Sequence, residues 1–324
     1  MQKVKWGVLG TANIARGCTI PGLKSATNAE LYAIAGRNEQ KAAAFKEEFG
    51  FEKYYGSYEE LLDDEAVQAV YIPLPNDLHY KWVKAALAKK KNVLCEKPLA
   101  LNAAQAGELY KTAEENGVLL MEAYAYLHSP YVKSLKNDID SGIIGKVDYI
   151  ESTFVTQGYK EDIRLYKEQG GGAMYDLGCY CTSLILSLND DKPEFVKAVA
   201  EFSERGVDNM TSAIIRFQNG VRAAFNVGMI LGENTDDRHD RLYVHGDKGC
   251  IISDVEFNQS GEINYRICTN EGVTIRELSV SQNYSLETEQ LGRCILEGEK
   301  PYVSSEFSIK NAELMDEVFK EIGY

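Results

Sequence analysis

The chain has 324 residues, 44% of them apolar and 26% charged, which is the composition of a folded protein and more length than one ordinary core needs. Acidic residues outnumber basic ones 49 to 35, and the net charge of -14 repels nucleic acid and anionic membrane surfaces at long range. Disorder, nucleic-acid binding and membrane binding are therefore excluded as expectations, and any anion needs a local site. No apolar run approaches a membrane span, and the residues up to Gly10 already read as strand and turn, with no room for a targeting segment. A cytoplasmic protein is expected. Seven cysteines, an odd number at 18, 95, 179, 181, 250, 268 and 294, argue against a disulfide framework. The one close pair, Cys179 and Cys181, has no histidine nearby, so no metal site is expected.

From residue 3 to about 122, short apolar runs alternate with helical patterns. Strands are expected at 4–9, 31–35, 69–72, 93–95 and 118–121, and helices at 12–25, 39–49, 58–63, 78–89 and 103–116, with Ser57 and Asn102 as caps. This alternation predicts right-handed crossovers and a doubly wound parallel sheet, an α/β domain over 1–122. After residue 123 strand-like stretches follow one another at 147–156, 195–202, 209–218, 221–228, 241–245 and 250–255, joined by turns such as Gln218-Asn219-Gly220. Helical patterns recur at 130–141, 172–188, 285–297 and 308–322. The second domain, 123–324, is therefore α+β with a mainly antiparallel open sheet. The alternation Val221, Ala223, Phe225 and Val227 suggests a sheet face that seeks a partner, and a homo-oligomer through that sheet is expected, with burial within the subunit as the alternative.

Gly10, Ala12 and Ala15 follow the first strand and open the first helix, in the places where a dinucleotide turn needs a tight bend, close backbone approach and tight packing. Ala12 departs from the usual second glycine. The helix N-terminus still offers amide donors to a pyrophosphate. The second strand ends in Ala35-Gly36-Arg37-Asn38, without a carboxylate for the ribose hydroxyls, and Glu30 lies at the wrong end of it. Arg37 suits a 2′-phosphate, so NADP(H) is preferred, with NAD(H) as the alternative. Asn76 and His79 follow the third main strand at the same carboxyl edge, where they are expected to line the nicotinamide side, with helix capping as the alternative for Asn76. Glu96-Lys97-Pro98 ends the next strand. Proline drives the lysine before it out of helical geometry, so the ammonium sits on extended backbone at the ligand-facing edge.

The run 10–15, the turn 35–37, Ile72-Pro73-Leu74-Pro75-Asn76 with His79, Glu96-Lys97-Pro98, and Gly170-Gly171-Gly172 leading to Asp176 and Tyr180 together resemble the Gfo/Idh/MocA family of oxidoreductases. The resemblance covers nearly the whole chain. It implies an N-terminal Rossmann domain, a C-terminal antiparallel sheet often used for assembly into a homodimer or homotetramer, and cofactor-dependent redox chemistry on sugars or polyols. Many relatives carry histidine where this chain has Tyr180. Tyrosine there, with Met121 to Tyr124, His128 and Pro130, resembles the branch of dimeric dihydrodiol dehydrogenases, D-xylose dehydrogenases and glucose-fructose oxidoreductase. Tyr126-Leu127 departs from the Arg-Phe usual in that branch, which puts substrate contacts in doubt.

The turn and the resemblance assign cofactor contacts to Gly10, Thr11, Ala12, Asn13, Ile14 and Arg37, and further ones to Pro73, Leu74, Asn76, His79, Glu96 and Lys97. Glu96 either bonds the cofactor ribose or fixes Lys97. Tyr180 is expected to be the general acid/base, with Lys97 favouring its phenolate and polarising the substrate oxygen. Asp176, four residues earlier on the expected helix, orients Lys97 or a second substrate hydroxyl. Tyr159 and Arg164 are candidate hydroxyl contacts. A nucleotide-binding redox sensor without turnover, and a lyase or glycosidase that recycles NAD, are the alternatives.

Overall fold

The computed structural model describes residues 2–159, 161–232 and 238–324. The chain forms two compact units, Met1–His128 with Gln282–Ile309, and Ser129–Ser281 with Lys310–Tyr324. A single boundary at 122/123 misses the return of residues 282–309 to the first unit. Contacts far apart in sequence explain it: Thr27 N donates to Glu289 Oε1 at 2.8 Å, Asn28 Nδ2 to Glu289 O at 2.9 Å, and Gln282 Nε2 to Cys18 O at 3.0 Å.

The first unit is built on strands β1 (Val4–Leu9), β2 (Ala29–Ala35), β3 (Lys53–Tyr55), β4 (Ala69–Ile72), β5 (Asn92–Glu96) and β6 (Leu120–Ala123). They form one parallel sheet in the order β3-β2-β1-β4-β5-β6. Chain order reverses between β1 and β4, and the crevice beyond their carboxyl ends is where such sheets bind nucleotides. β4 is apolar and buried along its length, and β1 likewise apart from the half-buried Lys5, because helices cover both faces of a parallel sheet. Local chemistry sets the helix starts: Asn38, Ser57 and Asn102 each accept a backbone N–H three residues on. β3 is too short and half-exposed to stand out in the sequence.

The second unit carries β7 (Val147–Gln157), β8 (Pro193–Phe202), β9 (Asp208–Phe217), β10 (Arg222–Leu231), β11 (Arg238–Gly246), β12 (Gly249–Ser253), β13 (Gly261–Thr269) and β14 (Gly272–Val280). The sheet order is β14-β13-β12-β11-β7-β10-β9-β8, antiparallel except for the β7–β10 pair. β13 and β14 form a hairpin that the sequence reading does not contain. β10 packs under the helix Cys179–Leu188 and the turn before it, so Ala223, Phe225 and Val227 are buried inside the unit. The alternation that suggested a partner is core. The opposite face carries the exposed apolar residues: Val199, Ile214, Val273 and Ile275 are 73, 55, 64 and 58% exposed. Strand register puts all four on that one face.

Candidate active site

Gly10 ends β1 with φ +130°, a conformation that side chains rarely adopt, and a Cβ there would press on Leu74 Cδ2 at 3.0 Å. Bare backbone therefore faces the crevice. Gly10 N donates to Ala35 O at 2.9 Å, which ties the turn to the end of β2. Asn13 and Ile14 are exposed at the start of the helix that follows, where the first amides have no intrahelical partner. That helix winds through a π turn at Ala15–Thr19 before Ile20–Ser25. Arg37 is exposed, and its charge acts on Tyr58, whose hydroxyl lies 3.8 Å from where a Gly10 Cβ would stand. Burial raises the Tyr58 phenol and Arg37 pulls against it. An arginine thus stands beside the glycine turn, as the sequence requires for a 2′-phosphate.

Leu74 is buried after β4, and Asn76 is the first residue of the helix Asn76–Ala88, so Pro75 and not Asn76 occupies the cap position. His79 departs from its expected cofactor role. It is fully buried, with Nδ1 2.8 Å from Pro98 O and Nε2 2.7 Å from Leu74 O. Burial, and to a lesser degree Lys97, push its pKa down, against the two carbonyls. Neither ring nitrogen is left for a ligand. The imidazole fills the space between the turn after β4 and the turn after β5, and the neutral ring donates to one of the two carbonyls.

That second turn carries Lys97, joined to Pro98 by a cis peptide bond. Leu99 N donates to Glu122 Oε1 at 2.8 Å, so the end of β6 holds the same turn from the other side. Burial pushes the Glu122 carboxyl up to about 7, against Ser308, the Leu99 amide, Tyr124 and Lys97. Glu96 accepts from Tyr71 Oη at 2.6 Å, and Tyr71 accepts from Thr19 Oγ1 at 2.8 Å. One oxygen of Glu96 is therefore engaged inside the unit. Glu287 is fully buried, and neither of its carboxyl oxygens has a hydrogen-bond partner among the described residues. Burial first, then the charge of Glu96, push its pKa well above the ordinary value, which favours the protonated form. Tyr71 and Glu287 carry no motif, and the sequence reading misses both. Tyr126 and Leu127, where the chain departs from its branch, are 3 and 4% exposed and belong to the core.

In the second unit the structure joins three of the expected residues. Arg164 Nε donates to Asp176 Oδ2 at 2.6 Å and its Nη1 to Asp162 Oδ1 at 2.8 Å, while the guanidinium lies 4.9 Å from the Tyr159 ring centre. Burial works against the Arg164 charge, but Asp176, Tyr159 and Asp162 outweigh it and hold its pKa above the ordinary value. Gly172 N donates to Arg164 O at 2.8 Å, which sets the loop. Gly172 has φ +102° and a Cβ there would collide with Asp208. Asp208 in turn accepts from Met174 N at 2.9 Å and Thr211 Oγ1 at 2.6 Å, and burial pushes it up to about 6.

The helix expected over 172–188 contains a π turn, Met174–Gly178, ahead of the α-helix Cys179–Leu188. The four-residue spacing of Asp176 and Tyr180 therefore does not correspond to one α-helical turn. π turns concentrate at functional sites, and here they occur in the helix after Gly10 and in the helix that carries Tyr180. Tyr180 packs against Phe154 and Phe257, with ring centres 5.6 and 5.0 Å away, and Asn258 Nδ2 lies 3.4 Å from its hydroxyl. No spacing in the sequence links residues 154, 257 and 258 to 180. Only the sheet brings them together.

Comparison with known proteins agrees with this architecture. Residues 4–124 match a family described as an oxidoreductase family with an NAD-binding Rossmann fold, and residues 132–252 match the GFO/IDH/MocA C-terminal domain. A D-xylose 1-dehydrogenase (NADP(+)) of Haloferax volcanii is 32% identical over 97% of this chain and 96% of its own. A trans-1,2-dihydrobenzene-1,2-diol dehydrogenase of Xenopus tropicalis is 32% identical over 98% of each chain. The crystal structure of KijD10, a 3-ketoreductase from Actinomadura kijaniata in complex with NADP and TDP-benzene, superposes with a TM-score of 0.93 at 30% identity, covering 99% of this chain and 98% of that one. With both family domains matched in order along the chain, the protein belongs to the GFO/IDH/MocA family of oxidoreductases.

Proposed function

We propose that the protein is a dehydrogenase or reductase that moves a hydride between NADP(H), preferred over NAD(H), and a sugar, polyol, diol or related carbonyl compound. One observation carries this reading. The Gly10 turn after β1 and Lys97 after β5 stand at the same carboxyl edge of one parallel sheet, so a dinucleotide turn and an ammonium share a crevice edge. The relatives named for NADP-dependent sugar oxidation, diol oxidation and ketone reduction support the substrate class.

The chain's residues suit the cofactor. Thr11 to Ile14 offer amides to the pyrophosphate and Arg37 a guanidinium to the 2′-phosphate, while Pro73, Leu74 and Asn76 line the crevice from the end of β4. When bound, the nicotinamide supplies the hydride acceptor or donor. Lys97 polarises the substrate oxygen, and Tyr180 takes the hydroxyl proton in oxidation and returns it in reduction. Asp176, held by Arg164, accepts a hydrogen bond from a second substrate hydroxyl, with Tyr159 beside the pair. His79 and Glu96 act behind Lys97, the first by fixing its turn and the second through Tyr71.

Incubation with NADP⁺ and a panel of aldoses, polyols and trans-diols, followed by reduced-cofactor absorbance, tests the reading. Net reduction is expected. Tight nucleotide binding with no turnover on any member indicates a sensor, and product without net cofactor change indicates recycled NAD. The seven cysteines are free thiols, the state that a reducing cytoplasm maintains, and we place the enzyme there. A second copy of the chain is the proposed cover for the sheet face bearing Val199, Ile214, Val273 and Ile275. Sedimentation at micromolar concentration should give a dimer or tetramer, and a monomer alone rejects that interface.

A further inference from the structure

Tyr180 has neighbours in its own unit that the reaction above leaves unused. Arg238 lies over the Phe154 ring at 4.3 Å, and Phe154 stacks on Phe257 at 5.2 Å. The guanidinium is gripped by both oxygens of Asp240, at 2.7 and 2.5 Å, and by Phe257 O at 3.1 Å. Sheet register explains this assembly: Asp240 pairs with Phe154 and Arg238 with Thr156, so the arginine, the carboxylate and the ring share one face of the β7–β11 pair. Asn258 follows Phe257 with φ +64°. Its Nδ2 lies 3.4 Å from the Tyr180 hydroxyl, and its Oδ1 is buried without a partner among the described residues.

We propose that Arg238 and Asn258 are positioning residues for Tyr180, the arginine as a fixed cation that favours the phenolate and the asparagine as an amide that serves both protonation states. The inference rests on Tyr180 as the acid/base and adds how this unit prepares it. Arginine does not lose its proton in proteins, so its influence on the phenol is permanent, and Asp240 keeps it from turning away. Burial works against the Arg238 charge, but Asp240, Glu256 and Tyr180 outweigh it and hold its pKa above the ordinary value. Electrostatic coupling is mutual, so the same interaction favours the ionised phenol. The carboxamide has a donor end and an acceptor end. With Nδ2 toward Tyr180 it stabilises the phenolate. Turned over, it offers Oδ1 to the phenol proton, and the acceptor that now has no partner gains one. A carboxylate or an ammonium at position 258 serves only one of those states. Asparagine also tolerates the left-handed backbone that aims it.

Among the described residues of the same unit, the elements packed near Tyr180 also carry Asp176 on its own helix, paired with Arg164, then Asp240 on β11, and Glu256, 3.8 Å from Arg238 in the segment after β12. The thiols of Cys179 and Cys181 flank it in sequence. Asp176 and Asp240 each have an arginine of their own.

The test uses the full chain with 13Cζ-labelled tyrosine. The Tyr180 resonance is assigned by its loss in Tyr180→Phe, then titrated without cofactor, and the pH profile of kcat is measured in parallel. Asn258→Asp should raise the Tyr180 midpoint by about one pH unit or more, and move the limb of kcat with it. Turnover then falls about tenfold at pH 7 and recovers at higher pH. Arg238→Gln alone strands the buried Asp240, so Arg238→Gln is combined with Asp240→Asn, which removes both charges together. This pair should shift the midpoint in the same direction. A Tyr180 midpoint unmoved in both variants, or a loss of turnover equal at every pH, overturns the proposal. Undiminished turnover in Tyr180→Phe overturns the acid/base reading instead, and the resonance still reports whether the two residues act on the phenol.

Discussion

In the first unit, Glu287 is wholly buried with neither oxygen bonded and Glu122 is pushed up to about 7, whereas in the second Asp138, Asp176 and Asp240 each meet an arginine within 2.8 Å. A buried carboxyl without a cation escapes the cost of desolvation by keeping its proton, and one with a cation keeps its charge. Asp208 shows that the rule is local: it lies in the second unit, has amide and hydroxyl partners but no arginine, and is raised to about 6. In the first unit the fold raises the carboxyls of Glu122 and Glu287, with Lys97 opposing the first shift and the charge of Glu96 adding to the second. Around Tyr180 it keeps fixed ion pairs.

The strongest test of that contrast is whether the two units serve one chemical step. Lys97→Met and Tyr180→Phe should each lower kcat by about 10²–10⁴-fold with cofactor affinity nearly kept. The double variant should be little worse than either, since groups acting on one oxygen are not additive, and fully multiplicative losses in steady-state kinetics would separate them.

Glu287→Gln probes the neutral acids. With the folded pKa raised, the native state holds a proton that the unfolded chain releases, so wild-type stability drains away as pH rises above the ordinary glutamate value of about 4.3. Glutamine removes this drain, worth about 1.4 kcal/mol per pH unit until the folded group ionises. Denaturant melts should show the variant gaining on wild type from pH 4 to pH 8, and parallel profiles contradict a protonated Glu287.

Arg276→Met probes the paired acids in the opposite sense. Burial raises the Asp138 carboxyl, but Arg276 and Tyr265 outweigh it and lower its pKa, so the pair stabilises the fold above the ordinary aspartate value and the contribution is lost as pH falls through the folded one. Arg276 is itself 40% exposed, which limits the loss to about 1 kcal/mol at pH 7. It should vanish near pH 2. The smallest effect is expected from Arg37→Ser, which should narrow the NADP⁺ to NAD⁺ ratio of kcat/KM about tenfold, mostly through KM.

The residues by themselves determine a good deal of this protein. The strand 4–9, the helices 39–49, 58–63 and 103–116 and the caps Ser57 and Asn102 stand as the periodicity predicts, and so do the glycine turn and the placement of Lys97 at the end of β5. These are properties of neighbours in the chain: apolar spacing, a cap three residues from its amide, a backbone without room for a side chain. The short half-buried β3 and the largely exposed β14 carry too little buried apolar pattern to show the same way, while β13 alternates Ile263, Tyr265 and Ile267 inward, a pattern that the sequence reading misses.

What the tertiary structure alone decides is pairing. Arg164 pairs with Asp176 across the glycine loop, Asn258 faces Tyr180 across 78 positions of sequence, and Cys250 stands opposite Cys268 although only Cys179 and Cys181 are close in the chain. Register decides which face of the large sheet is core, burying Phe225 and exposing Ile214. Long-range packing returns residues 282–309, with the buried Glu287, to the first unit. The physical reason is the same in each case. Side-chain direction follows from local backbone geometry, but the group waiting at the end of that direction depends on how distant strands and helices come to lie together.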